Sequence, residues 1–192
     1  MELLFATNNA HKIHEIRSAL DNAIRITGLK EAGIDIDIPE PHDTLEKNAS
    51  EKSAVVYALT GISCFSEDTG LEVKSLNGEP GVLSARYAGN GKSDRDNIAK
   101  LLDNLKGKPD RRAHFKTVIS LIWKGKEHLF EGICEGQILE ATRGNGGFGY
   151  DPVFVPAGSA LSFAEMDTTE KNRFSHRKKA VDQLVSFLQT HK

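Results

Sequence analysis

The chain opens on an apolar run, LLFA at 3–6, and then places Ile13, Ile16 and Leu20 at i, i+3 and i+7. The run predicts a short buried strand over residues 2–6, and the spacing predicts one face of a helix beginning near Asn9. A stretch containing Pro39 and Pro41 interrupts the pattern. Asp43 or Thr44 can cap a second helix running to about Leu59, with Ala49 and Val56 inward and Gly61 as its stop. ISCF at 62–65 reads as a buried strand. SEDTG reads as a polar turn at its end, before LEV.

In the second half Ser93 starts a helix with Ile98, Leu101, Leu102 and Leu105 inward, closed by Gly107 and Pro109. From Ala113 to Trp123, Phe115, Ile119, Leu121 and Trp123 alternate with largely polar neighbours, as in a half-buried strand, and a partner strand is expected around 127–139. RGNGGFGYD at 143–151 holds four glycines in nine positions and predicts a loop or a loose hairpin. The last helix, Ser175 to about Gln189, turns Val181, Leu184, Val185 and Leu188 inward. It carries Arg177, Lys178 and Lys179 in its first turns, where the helix dipole disfavours cations, and that conflict points to a bound anion.

At 192 residues the chain predicts one domain, 1–192, with two lobes around a cleft more natural than two independent cores. Twenty-five Lys and Arg against 27 Asp and Glu give a net charge of −2, too balanced for sequence-independent nucleic-acid binding. The apolar runs are too short to cross a membrane. MELLFATNN carries no secretory pattern, so a cytoplasmic location is expected. Cys64 and Cys134 lie in apolar runs without metal-ligand spacing and read as core thiols.

Three constellations carry candidate chemistry. ATNNAHK at 6–12 places polar residues where a strand hands over to a helix, a geometry that suits phosphate; ordinary capping by Asn8 or Asn9 with a solvated Lys12 is the alternative. Glu67 and Asp68 offer hard oxygen ligands of the kind Mg²⁺ takes, Glu40 could add another, and Asp68 could activate water, unless the pair is a solvated turn. GFGYD at 147–151 brings two aromatics into a glycine loop, as a base-stacking platform does, although anchoring of a hairpin would use them too. Asp151 before Pro152 is expected in an extended conformation. Lys171, His176 and Arg177 add cations and donors. HxxxH, HExxH, GxxxxGK[ST] and GxSxG are all missing, which disfavours zinc hydrolases, P-loop enzymes and nucleophile-elbow hydrolases.

ATNNAHK with Glu15, SEDTGLEV, GEPGVLSARYAG, GGFGYDPVF and EKNRFSHR occur in this order and together resemble the inosine triphosphate pyrophosphatase family. The resemblance spans nearly the whole chain. It implies a mixed α/β fold with a long curved mixed sheet, two lobes flanking a central active-site cleft, and a homodimer. It implies hydrolysis of XTP, ITP or dITP to the monophosphate and pyrophosphate with Mg²⁺, which keeps deaminated purines out of DNA and RNA. Asp68 would accept the proton and, with Glu40, hold metal. Thr7, Asn8, Asn9, Ala10, His11, Lys12 and Lys52 would meet the phosphates, and Thr69 would touch substrate. Phe148, Gly149, Tyr150, Asp151, Lys171, His176 and Arg177 would form the nucleoside side, with Arg177 or His176 donating to the 6-oxo group that adenine lacks. The chain departs from the family pattern at Leu45 and Lys47, where Phe and Glu are usual, at Glu67 for a frequent Asp and at Thr69 for a frequent Ser. A related pyrophosphatase for pyrimidine or modified triphosphates, and a non-catalytic nucleotide-binding protein with RKK at 177–179 as its best feature, are the alternatives.

Overall fold

A computed structural model of the protein describes residues 1–20, 24–91 and 93–191. It has seven strands and five α-helices among the described residues: β1 (Glu2–Phe5), α1 (Ala10–Ala19), β2 (Arg25–Gly28), α2 (Leu45–Thr60), β3 (Cys64–Val73), β4 (Pro80–Gly81), α3 (Asp94–Asn104), β5 (Arg112–Trp123), β6 (Lys126–Ile138), β7 (Phe154–Pro156), α4 (Thr168–Asn172) and α5 (His176–Thr190). The strands form a mixed sheet in the order β2-β1-β3-β5-β6-β7, with β4 paired to β3. β1 runs parallel to both β2 and β3, whereas β4 and β7 pair antiparallel with β3 and β6. The chain is therefore mixed α/β, and no helix among the described residues is long and apolar enough to cross a membrane.

The chain divides into two compact units, each built from separated segments. Unit 1 comprises 1–68, 117–132 and 177–192, and unit 2 comprises 69–116 and 133–176. In unit 1, Leu3, Phe5, Ile16, Phe65, Ile119, Leu121, Val181, Leu184 and Leu188 form one apolar cluster, and Leu4, Leu29, Val56 and Cys64 form another. Phe5 and Phe65 stack on neighbouring parallel strands with centroids 4.4 Å apart. In unit 2, Leu71, Leu101, Leu105, Phe115, Tyr150, Phe154 and Phe163 make the core. The core is divided among these clusters because short amphipathic elements each bury one stripe where they pack.

The caps fall where the side-chain chemistry puts them. Asn9, Thr44 and Ser93 accept from the backbone N–H groups of Lys12, Lys47 and Asp96 and start α1, α2 and α3, and Gly61 ends α2 in the left-handed region. Three expectations change. SEDTG is no turn: β3 runs without a break through it, with Glu67 and Asp68 buried in mid-strand. β5 alternates only at its start and is buried on both faces from Thr117 to Ile122, since a central strand is covered on both sides. Asp151 opens a 3-10 turn, Asp151–Val153, instead of lying extended; a buried ion pair to Lys171 outweighs the conformational bias of a residue before proline. β2, β4, β7 and α4 are short and carried no periodicity to read.

Candidate active site

Successive side chains on a strand point to opposite faces, so Glu67 and Asp68 face different helices. Glu67 meets α1 and α5. Its Oε1 lies 2.7 Å from Lys12 Nζ, and Arg177 Nε and Nη2 donate to its Oε2 and Oε1 at 2.8 and 3.1 Å. The remaining Arg177 nitrogen, Nη1, pairs with Glu15 of α1. Asp68 meets α2: Lys52 Nζ donates to Asp68 Oδ1 at 3.0 Å and to Glu40 Oε1 at 2.6 Å. Lys52 is carried inward because Leu45, Asn48, Ala49, Lys52, Ser53 and Val56 form the buried stripe of α2. Asn48 on the same stripe accepts from the His42 N–H at 3.0 Å and donates to its carbonyl at 3.2 Å, which fixes the Pro-flanked segment holding Glu40.

Three cations, Lys12, Lys52 and Arg177, thus face four carboxylates, Glu15, Glu40, Glu67 and Asp68, in unit 1. Burial alone would raise the Glu67 carboxyl, but Arg177 and Lys12 outweigh it and hold Glu67 well below the usual carboxylate range. Asp68 behaves oppositely. Burial pushes it above its ordinary value, and the attraction of Lys52 and Lys12, opposed by Glu40, does not bring it back. Burial pulls Lys52 down, yet Asp68 and Glu40 leave it raised and therefore charged. The neighbours divide the work: Glu67 is a permanent anion, and Asp68 is a carboxylate whose proton affinity is enhanced.

In unit 2 the glycine loop is held by side chains. Asp151 Oδ2 accepts from the Phe148 N–H at 3.0 Å and from Lys171 Nζ of α4 at 2.5 Å. Lys171 Nζ also lies 5.4 Å from the Phe148 ring centroid and 5.1 Å from that of Phe163. Gly147 has φ +72°, and a Cβ there would overlap the Asp151 carboxylate, so only glycine fits the turn. Tyr150 is buried with its hydroxyl donating to the Ser84 carbonyl at 2.8 Å. His176 is buried and stacks on Phe115 with centroids 4.6 Å apart.

A model of the Ham1 family matches residues 3–187. The chain belongs to the Ham1 family. The dITP/XTP pyrophosphatase of Christiangramia forsetii is 51% identical over 188 residues, 98% of this chain and 99% of that one. The dITP/XTP pyrophosphatase of Porphyromonas gingivalis is 52% identical over 188 residues, 97% of each chain. Among solved structures, the Ham1 protein of Staphylococcus aureus matches with a TM-score of 0.90 at 38% identity over 100% of both chains. A HAM1 protein from Coxiella burnetii matches at 0.89 with 35% identity over 99% of both.

The structure of this Ham1 chain brings Lys12, Glu40, Lys52 and Asp68 into one charge cluster, and Phe148, Asp151 and Lys171 into another. Thr7 is half-buried between β1 and α1, Asn8, Asn9, Ala10 and His11 are exposed, and Asn8 donates to the Ile36 carbonyl at 3.0 Å. Thr69, half-buried, follows Asp68 on β3. Two residues make internal contacts that the sequence did not show. Arg177 lies in unit 1 with its three guanidinium nitrogens on Glu67 and Glu15, whose charges offset the cost of burying the cation. Those carboxylates face the Arg177 cation in the first turns of α5, and Lys178 pairs with Asp182. Of the two readings open for the loop aromatics, Tyr150 takes that of a core anchor, and Phe148 is the more exposed aromatic of the loop. Asn48 and the ion-pairing roles of Glu15 and Glu67 are additions of the structure. Glu15 stands three residues after Lys12, the helical spacing that puts both on one face, and Asn48 interrupts an apolar stripe; these are the signals that could have found them.

Proposed function

We propose that this protein hydrolyses deaminated purine nucleoside triphosphates, XTP, ITP and dITP, to the monophosphate and pyrophosphate. The observation that carries the reading is Asp68: a buried carboxylate of raised proton affinity, 3.0 Å from Lys52, in a chain about half identical to dITP/XTP pyrophosphatases over its length. Water attacks the α phosphorus, its proton passes to the Asp68 carboxylate, and the α–β anhydride bond breaks to release pyrophosphate. Lys12 and Lys52, held by Glu67 and Glu40, neutralise phosphate charge, so catalysis is mostly positioning and electrostatics.

The residues fit Mg²⁺. Glu40 and Asp68 present carboxylate oxygens to one point, marked by the Lys52 ammonium at 2.6 and 3.0 Å. No group of three His, Cys, Asp or Glu gathers among the described residues, and Mg²⁺ binds by one or two carboxylates plus substrate phosphates. When bound, it supplies charge neutralisation on phosphate oxygens and a more acidic water. On the base, Phe148 provides the stacking face. With Arg177 paired to Glu67 and Glu15, recognition of the 6-oxo edge falls to His176; a donor left unpaired by the adenine amino group rejects ATP. We further propose a cytoplasmic homodimer, which light scattering tests as twice the 21.1 kDa of one chain.

The deciding experiment measures pyrophosphate and orthophosphate release from ITP, dITP, XTP, GTP, ATP and dTTP with Mg²⁺. Pyrophosphate is expected from the deaminated purines far faster than from ATP, and Asp68→Asn should lower that rate by about 10²–10⁴-fold. Equal rates on ATP and ITP, orthophosphate as first product, or preference for dTTP would overturn the reading.

A further inference from the structure

The Phe148 loop has a second anchor that lies far away in sequence. Asp94, the first residue of α3, accepts from the Gly149 N–H through Oδ2 at 2.6 Å. The preceding amide, that of Phe148, donates to Asp151 at 3.0 Å. Two consecutive backbone N–H groups flanking the Phe148 side chain are thus held by carboxylates from two different elements. Gly149 itself sits at φ +59°, a conformation with little intrinsic preference to keep the ring in one direction.

Asp94 stands on a fixed support. Asn97 of α3 accepts from the Ala88 N–H at 2.7 Å and donates to the Ala85 carbonyl at 3.2 Å. Tyr150 reaches the same turn through the Ser84 carbonyl. Capping of α3 is done by Ser93, whose Oγ accepts from the Asp96 N–H at 3.3 Å, and does not require Asp94. The Asp94 carboxylate is therefore available for the loop.

We propose that Asp94 is a positioning residue for the purine: by holding the Gly149 N–H it fixes the direction of Phe148, the ring that stacks on the base. The proposal rests on the pyrophosphatase reading above. It assigns Asp94 a role as a hydrogen-bond acceptor, with its charge incidental.

Asp94→Ala and Asp94→Asn separate that role from helix stability. Both remove the same negative charge from the first turn of α3, but only Asn retains an oxygen that can accept from Gly149. Asp94→Ala should raise KM for ITP and XTP about tenfold with kcat nearly unchanged, the loss of one hydrogen bond. Asp94→Asn should stay within about twofold of wild type on the same scale. Inhibition by tripolyphosphate, which has no base, should be the same in all three proteins. Amide exchange at Gly149 should accelerate in Asp94→Ala and remain slow in Asp94→Asn. An unchanged KM in Asp94→Ala, or equal impairment in both variants, overturns the proposal. If wild type hydrolyses neither ITP nor XTP, the pyrophosphatase reading fails, and unaltered Gly149 exchange in Asp94→Ala overturns the tether separately.

Discussion

Replacing Arg177 by Met removes the cation that holds Glu67 and keeps most of the apolar volume of the side chain. In the native protein Arg177 makes two contacts to Glu67, at 2.8 and 3.1 Å, and a third to Glu15, and the Glu67 side chain has no solvent exposure. After the substitution Glu67 retains Lys12 at 2.7 Å as its cation in the cluster. Breaking a buried pair by removing one partner costs about 3–5 kcal/mol, because the remaining charge keeps its desolvation penalty. For a chain of this size that lowers Tm by roughly 6–20 °C, a large part of a typical total stability. Urea unfolding of Arg177→Met, Glu67→Gln and the double variant measures the effect. The fluorescence of Trp123, the single tryptophan and a residue of unit 1, reports the region that holds the pair. The double variant should lose less than the two singles added together, by at least about 2 kcal/mol, since neither charge is then left buried alone. Arg177→Met within about 1 kcal/mol of wild type, or additivity of the two singles, would refute the assignment of Arg177 to the interior and return it to the base.

Tyr150→Phe should destabilise by about 1 kcal/mol, since it leaves the Ser84 carbonyl without its donor, and should leave KM for ITP unchanged; Phe148→Ala should do the reverse, and a denaturation curve with a Michaelis profile of each distinguishes anchor from stacking face. Gly147→Ala places a Cβ on the Asp151 carboxylate at a positive φ, so it should loosen the loop, raise KM for ITP and expose 147–151 to faster amide exchange. Burial pushes the Cys64 thiol up to about 11, so maleimide at pH 8 should leave it unmodified in the native protein and label it in urea; labelling at equal rates would contradict the packing of β3.

The sequence by itself determined the helices, and for a physical reason: α1, α2 and α3 carry both their N-caps and their apolar stripes, and α5 its stripe, within ten to sixteen consecutive residues, so local chemistry specifies them. It also determined the strand content of β1, β5 and β6 and the glycine loop. Order among residues, as five separated motifs, indicated the family that the full-length comparisons show. Tertiary structure decided what pairs with what. Whether Glu67 and Asp68 form a turn or the middle of a strand depends on cations that arrive from residues 12, 52 and 177, and without Lys12, Lys52 and Arg177 a buried acidic pair would be untenable. The same dependence set Arg177 against Glu67 and Glu15, turned Tyr150 inward, and brought Asp94 to a loop 55 residues later. A charged residue reads as solvated until its partner is known, and the partners here come from other elements of the chain. Composition and spacing show which charges exist; only the packed structure shows which are neutralised inside the protein and which remain to meet a substrate.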